Sequence, residues 1–486
     1  MSFTRREYLK TMGAGLASLV LPACKTISTA QNEGKKQPPN VVIFLTDDQG
    51  TLDVNCYGAR DLHTPHLDAL ADRGVRFTQA YAHTVCCPSR ALLMTGRQPQ
   101  RSGVTDWVQG NARDKLGINM DLGEITLAEA LKGAGYRTAL FGKWHLGAAF
   151  GFGPTDQGFD EFFGLRDGFI DNYNHFFLHG KGYHDLYRGD EEDFEPGAYF
   201  PKLVVREALR FLEANRDRPF FMYVGFNLPH YPEQAEKTYD ALYEKLPEPR
   251  RSYAKVVSTV DSHIGQIMQK LDDLKLSQNT IIAFASDNGH SSESAKIRVK
   301  DHSSGLPEGH NYGANGGGGY TGKWRGAKGS FFEGGIRVPA MMSFPSRIPA
   351  HTVRDQAVTL ADYYPTILEL CGVRSPDRKL DGTSLLPILQ SPDAPSRHNA
   401  LHWQWEDAKG DVSWAVREGD WKLIYNGVDT TDPWQGHPEP RRKIPKIFLG
   451  NLADDQPEFK NYAEQHPEIV QRLMKLHEEW VKDIGK

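Results

Sequence analysis

The run "NVVIFL" at 40–45 is apolar at nearly every position and rich in β-branched residues, the pattern of a strand buried on both faces of a parallel sheet. It ends abruptly in "TDDQG". Three later runs behave alike: "RTALF" passes into "GKWHLG", "FFMYVGF" into "NLPHYP", and "TIIAFA" into "SDNGH". Between such runs the apolar spacing changes to three or four. "HTPHLDALADRG" reads as a helix, and Val256, Val260, Ile264, Ile267 and Leu271 mark one face of a longer helix over 251–271. This alternation predicts an α/β fold, a large central and mostly parallel sheet flanked by helices. Ligands of such folds bind beyond the carboxyl ends of the strands, where all four polar sequences fall.

After "SPDAPSR" at 391–397 the period changes again. "ALHWQW", "VSWAVR" and "WKLIY" are short alternating runs that predict a small antiparallel sheet, and an amphipathic helix over about 467–481 closes the chain against it. The Gly-rich "GANGGGGYTG" at 313–322 reads as a flexible loop. At the other end, Arg5 and Arg6, an apolar run from Met12 to Val20 and "LPAC" form an export signal over 1–24. It is similar to twin-arginine and lipoprotein signals, with Cys24 as the lipid acceptor; a plain signal peptide cut nearby is the alternative. The expected organisation is a signal at 1–24, a polar tether at 25–38, a catalytic domain at 39–392 and a C-terminal α+β subdomain at 393–486. The expected address is the periplasm or cell surface, with membrane anchoring if Cys24 is lipidated.

Composition narrows the function class. With 39% hydrophobic and 24% charged residues in 486, the chain can bury a sizeable core. A formal charge of -5, with acids and bases interspersed, leaves no footprint for nucleic acid, so a polyanionic partner would need a local basic site. Five cysteines without regular spacing make neither a disulfide framework nor a zinc ribbon.

Chemistry-bearing residues gather at the predicted strand ends. Asp47, Asp48, Asp287 and Asn288 offer hard oxygen ligands suited to Ca²⁺ or Mg²⁺; either pair alone reads first as a helix cap, and it is the two pairs together that point to a metal. Lys143, His145, His230 and Lys328 add two cations and two imidazoles for binding and protonating an anion. "HTVCCPSRALLMTGRQP" at 83–99 sets Cys86 and Cys87 side by side, open to reading as a vicinal disulfide or as two inert buried thiols.

"CCPSRALLMTGR" resembles the signature of the type I, formylglycine-dependent sulfatases of the alkaline phosphatase superfamily, Cys-x-Pro-Ser-Arg extended by Thr-Gly-Arg. The resemblance runs through "NVVIFLTDDQG", "GYRTALFGKWHLG", "ASDNG", "GAKGSFFEGGIRVPAM" and "DGTSLLPIL", nearly the whole chain after the tether. It implies that Cys86, two before Pro88 and four before Arg90, is oxidised to formylglycine by a maturation enzyme, with Cys87 at the variable position. It also implies one Ca²⁺ held by Asp47, Asp48, Asp287 and Asn288 and meeting the hydrated Cys86 aldehyde. Arg90 and Lys143 would then stabilise the diol, Lys328 would contact sulfate, His230 would protonate the leaving oxygen and His145 would take the proton that releases sulfate. A helix starting near Ser89 would point N–H groups at the anion.

The implied activity is hydrolysis of a sulfate ester, and an exported enzyme meets sulfated polysaccharides or their oligosaccharides. The alternatives are a phosphomonoester or phosphonate hydrolase of the same superfamily, and an inactive glycan-binding protein. The aromatic and histidine-rich segment 167–190, with His179 and His184, is the expected substrate loop; His302, His310 and Trp324 are further candidates.

Overall fold

The computed structural model describes residues 37–107, 118–406, 410–432 and 442–485. The export signal, Cys24 and most of the tether lie outside the described residues. Eleven strands form the main sheet. Its centre is five parallel strands in the order Thr280–Ser286, Asn40–Asp47, Phe220–Pro229, Arg137–Lys143, Glu161–Leu165. Arg337–Ser343 lies antiparallel beside Thr280–Ser286, and Val75–Tyr81 follows it. The expected α/β sheet is therefore present.

Every residue of Asn40–Asp47 is buried. Val41, Ile43 and Leu45 enter one apolar core while Val42 and Phe44 enter the other, so alternation along the strand feeds two helical layers. That is why the run shows no polar positions. Helices Phe200–Ala214 and Arg250–Asp273 cover one face; Cys86–Thr95, Leu127–Gly133 and Tyr363–Cys371 cover the other. The two neighbours of Asn40–Asp47 come from later in the chain, one on each side, and the crevice opens at its carboxyl end.

Helix Cys86–Thr95 begins three residues earlier than the sequence reading placed it. Val85 is extended (φ -146°, ψ 167°), and Pro88 sits in the first turn, where its missing N–H is not needed. Cys86 consequently heads the helix.

Four antiparallel strands, Leu401–Glu406, Val412–Glu418, Trp421–Tyr425 and Ile447–Asn451, make the second sheet. The fourth was not expected. Helix Pro467–Ile484 lays Ile469, Val470 and Leu473 on Val416, Leu423 and Leu449. The other face packs Trp403, Ala415 and Ile424 against Phe331, Phe332 and Ile336 of the main unit. Lys422 Nζ is wholly buried between Glu333 Oε1 at 2.8 Å and Glu458 Oε1 at 2.5 Å.

The Gly-rich segment corrects the sequence reading. Asn311–Asn315 pairs with Ser294–Lys296, and Gly317, Gly318 and Gly319 are buried. A Cβ at Gly319 would stand 2.2 Å from His290 Cβ, so glycine allows close packing here and not merely flexibility. Among the described residues no helix is long and apolar enough to cross a membrane.

Candidate active site

Strand register assembles the site. Thr46 pairs with Ser286, which sets Asp47 beside Asp287; Asp47 pairs with Pro229, which sets His230 beside Asp48. Backbone bonds fix both junctions: Asp287 N donates to Thr46 O at 3.0 Å, and His230 N to Asp47 O at 2.9 Å. Lys143 ends Arg137–Lys143, His145 follows two residues later, and Lys328 arrives on the loop before Arg337–Ser343. Asp48 (φ 63°) and His145 (φ 56°) adopt left-handed backbone, a strain concentrated at functional turns.

Cys86 Sγ lies 3.5 Å from Asp47 Oδ1. On its other oxygen Asp47 accepts from Lys143 Nζ at 2.6 Å, with Arg90 Nη2 at 3.8 Å. Arg90 donates from Nε (3.0 Å) and Nη2 (2.8 Å) to Asp287 Oδ2, and from Nη1 to the Lys143 carbonyl (3.0 Å). Asp48 accepts from Asn288 Nδ2 at 2.6 Å and Lys328 Nζ at 2.9 Å, and His230 Nε2 stands 3.6 Å from it. His230 Nδ1 is 2.6 Å from the Tyr231 carbonyl.

All of these side chains are buried, and their charges decide their protonation. Burial pushes Asp47 up, but Lys143, His230 and Arg90 together hold it well below the usual carboxylate range. Burial, with the neighbouring acids, lifts Asp48 to about 7 and Asp287 to about 6 against Lys328 and Arg90. The Cys86 thiol is raised well above its ordinary value by burial, so it is not an activated thiolate. Burial and the nearby Lys328 keep His230 well below its ordinary value.

Two observations fit a metal. Single ligand atoms of Asp47, Asp48, Cys86 and Asp287 all lie within 4.8 Å of one another, and Asn288 Oδ1 is buried without a hydrogen-bond partner. The oxygen donors among these, Asp47, Asp48, Asp287 and Asn288, are compatible with Ca²⁺. With the three carboxylates ionised, Arg90, Lys143 and Lys328 balance them, so a divalent cation would leave the site positive toward an anion.

A pocket of about 40 Å³ opens over Cys86, lined by His145, His230, Lys328, Asp167, Phe169 and His179 among others. His179 is where the substrate loop was expected to reach. The remaining substrate candidates are placed elsewhere. His184 stacks on Phe194 at 4.4 Å. His302 is buried against Gly182, with Nδ1 2.7 Å from Ser304 Oγ. His310 is exposed, and Trp324 lies under the Arg337 guanidinium at 4.1 Å. None of these four lines the pocket. Sequence reasoning did not single out Asp167, Phe169, Trp107, Tyr231 or Glu293, all of which do. Asp167 and Phe169 fall inside the segment 167–190, but only the position of His145, 3.6 Å from Asp167 Oδ1, selects the former.

Known proteins share this arrangement of sequence and fold. Residues 39–373 match the family model described as Sulfatase, and 324–478 that of N-sulphoglucosamine sulphohydrolase, C-terminal. The chain is 33% identical to the N-acetylgalactosamine-6-sulfatase of Canis lupus familiaris, over 93% of this chain and 87% of that one. The crystal structure of Ps i-CgsB in complex with k-i-k-neocarrahexaose superposes with a TM-score of 0.75 at 26% identity, covering 91% of this chain and 93% of that one. The PsFucS1 sulfatase from Pseudoalteromonas sp. gives 0.74 at 25%, covering 92% and 90%. With the family match spanning most of the chain and the signature cysteine buried among the acids and cations that matching positions predict, this protein belongs to the type I sulfatases of the alkaline phosphatase superfamily.

Proposed function

We propose that this sulfatase removes sulfate from a sulfated carbohydrate, with Cys86 matured to formylglycine and one Ca²⁺ held by Asp47, Asp48, Asp287 and Asn288. The observation that carries the reading is Cys86 at the head of a buried helix, 3.5 Å from Asp47, inside a cluster of three carboxylates and three cations. The carbohydrate class draws support from the N-acetylgalactosamine-6-sulfatase relative and from the neocarrahexaose complex of a structural neighbour. The sulfatase relative and the Sulfatase family model favour sulfate over a phosphate or phosphonate ester.

Hydrated formylglycine supplies a geminal diol as nucleophile, and the divalent cation supplies Lewis-acid stabilisation of the sulfate oxygens. The chain's own residues do the rest. Arg90, fixed by Asp287 and the Lys143 carbonyl, and Lys143, fixed by Asp47, hold positive charge beside the residue-86 side chain. Lys328 approaches from the Asp48 side, so a bound sulfate is held between cations on two sides. His230 faces the Tyr231 carbonyl through Nδ1 and therefore presents Nε2 to the leaving oxygen. Burial and Lys328 disfavour its protonated form, and an anion bound beside Lys328 would offset that and let Nε2 hold the proton to be donated. His145, backed by Asp167, is placed to accept the proton that accompanies sulfate release. Phe169 and Tyr231 wall the pocket and limit water.

Export with a lipid on Cys24 is part of the same proposal, supported by the leader at 1–24. Labelled fatty acid carried by the parent and lost in Cys24→Ser tests it. For the activity, protein made with a maturation enzyme is to be assayed for sulfate release from a panel of sulfated sugars, including 6-sulfated N-acetylgalactosamine, with NMR reading the position. Formylglycine in the Cys86 peptide together with release from sugars is the expected result. Turnover of an aryl phosphate orders of magnitude above the aryl sulfate overturns it.

A further inference from the structure

The pocket over Cys86 is small, about 40 Å³, and opens outward. A glycan whose sulfate reaches residue 86 extends past its rim. A second cavity, of about 230 Å³, begins where His179 ends the first: its walls are Leu178, His179, Gly180, Ala295, Lys296, Arg298 and Tyr312. His179 is common to both.

The two cations of this second cavity flank a buried residue at the end of strand Ser294–Lys296. Ile297 is buried in an apolar cluster with Phe169, Phe177, Tyr231 and Tyr312, three of which also line the Cys86 pocket. The Ile297 N–H donates to the His310 carbonyl at 2.9 Å, which pins that residue to the returning chain. Ile297 is buried while Lys296 and Arg298 on either side of it are exposed and line the cavity, so both cations face away from the cluster. Both are exposed, and among the described residues neither is ion-paired. Other cations near the pocket have carboxylates: Lys328 has Asp48, and Glu293 at 3.6 Å. Unpaired Lys and Arg facing one cavity, on a chain of charge -5, mark a local anion site. Arg298 also lies close enough to His179 to add to the effect of burial in disfavouring its protonated form.

We propose that Lys296 and Arg298, across His179 from Cys86, form a second anion-binding subsite for a sulfate or carboxylate on the sugar residue next to the one being desulfated. This rests on the sulfatase reading and narrows the substrate to a glycan carrying an anionic group on adjacent residues. Arg298 offers a planar fork to either anion, whereas Lys296 offers a point charge.

Binding tests the subsite apart from turnover. Unmatured full-length protein and its Lys296→Ala/Arg298→Ala variant are titrated with three fluorescent oligosaccharides of equal length: dextran sulfate, oligogalacturonate and neutral dextran. Parent protein should prefer a charged probe, and the variant should lose about tenfold in affinity for it, as expected for two charge-assisted contacts at a partly exposed site. The salt dependence of binding should flatten in step. Preference between dextran sulfate and oligogalacturonate identifies the anion. Equal affinity of parent and variant for both charged probes overturns the subsite, as does parent affinity for neutral dextran equal to that for both. Arg298→Glu, a surface change that spares the core, should weaken charged probes further and guards against misfolding of the double variant. Sulfate release by matured parent from singly sulfated sugars tests the sulfatase reading separately, since failure there leaves the binding comparison intact.

Discussion

Lys143 Nζ lies 2.6 Å from Asp47 Oδ2, both wholly buried, although a third strand, Phe220–Pro229, separates theirs in the sheet. The lysine therefore works across the crevice, offsetting one of three clustered carboxylates. Lys143→Met retains length and removes charge. Breaking a buried pair from one side costs about 3–5 kcal/mol, and losing a preorganised charge slows reaction by about 10²–10³. Urea unfolding should show the destabilisation, and added CaCl₂ should return part of it by binding the folded state. Initial rates within twofold of parent would remove Lys143 from the site.

The two adjacent thiols are expected to part company on substitution. Cys86 faces Asp47, whereas Cys87 is wholly buried in the apolar core that also contains Ala91 and Met94. Cys86→Ala should fold and bind calcium yet lose turnover. Cys87→Ala should retain activity within a few-fold and lose about 1 kcal/mol, the worth of one buried methylene-sized group. Rates and thermal melts on both variants, with mass analysis of the matured peptide, decide the matter; an active Cys86→Ala would sink the assignment.

Acid should loosen the C-terminal sheet from its closing helix and from the main unit. Burial pushes His83 to about 4, His402 to about 3 and His477 to about 4; His83 Nε2 faces the Gln404 carbonyl at 3.2 Å and His402 stacks on Trp480 at 5.1 Å. Because the unfolded chain binds these protons first, stability falls as pH drops from about 6.5 toward the folded values. His398 opposes them. Burial would lower it, but Asp362 at 2.8 Å raises it, so its contribution is full below about 6.5 and fades as pH rises through its raised value. His402→Phe keeps a ring on Trp480 and cannot charge, and should flatten the acid limb of melting temperature against pH. His398→Gln should lower melting temperature more at about pH 5.5 than at about pH 8. Parallel profiles for either variant and the parent would refute its part.

What was legible in the sequence follows from what is local. Asn40–Asp47 could be read because burial on both faces erases polar positions, and the site acids because they stand where such runs stop. The start of helix Cys86–Thr95 could not, since it depends on the extended backbone at Val85. Ile447–Asn451 is five residues whose identity as a strand comes from pairing with Trp421–Tyr425, far back in the chain. The Gly-rich segment looked mobile because nothing in it names the partners, His290 and Asp432, that pack on its glycines. The substrate histidines misled for a related reason: His184 and His302 satisfy local packing, and of those predicted for substrate His179 alone lines the pocket.

Asp167 is the pocket residue whose importance emerges only in three dimensions. Its Oδ1 lies 3.6 Å from His145 Nε2, its Oδ2 accepts from Tyr183 Oη, and its N–H donates to Asp185 Oδ2 at 2.9 Å. A carboxylate held this way orients the imidazole that it faces. Gly168 gives the ring its space, since a Cβ there would stand 3.1 Å from His145 Cε1. Asp167→Asn should lower kcat by about 10–100-fold, the usual effect of losing an orienting partner, with KM little changed. Asp167→Glu should restore part of the rate. Steady-state kinetics on a small sulfate ester separate the roles: a fall confined to KM, or loss of stability at unchanged kcat, would make Asp167 a scaffold for the Tyr183 loop and nothing more.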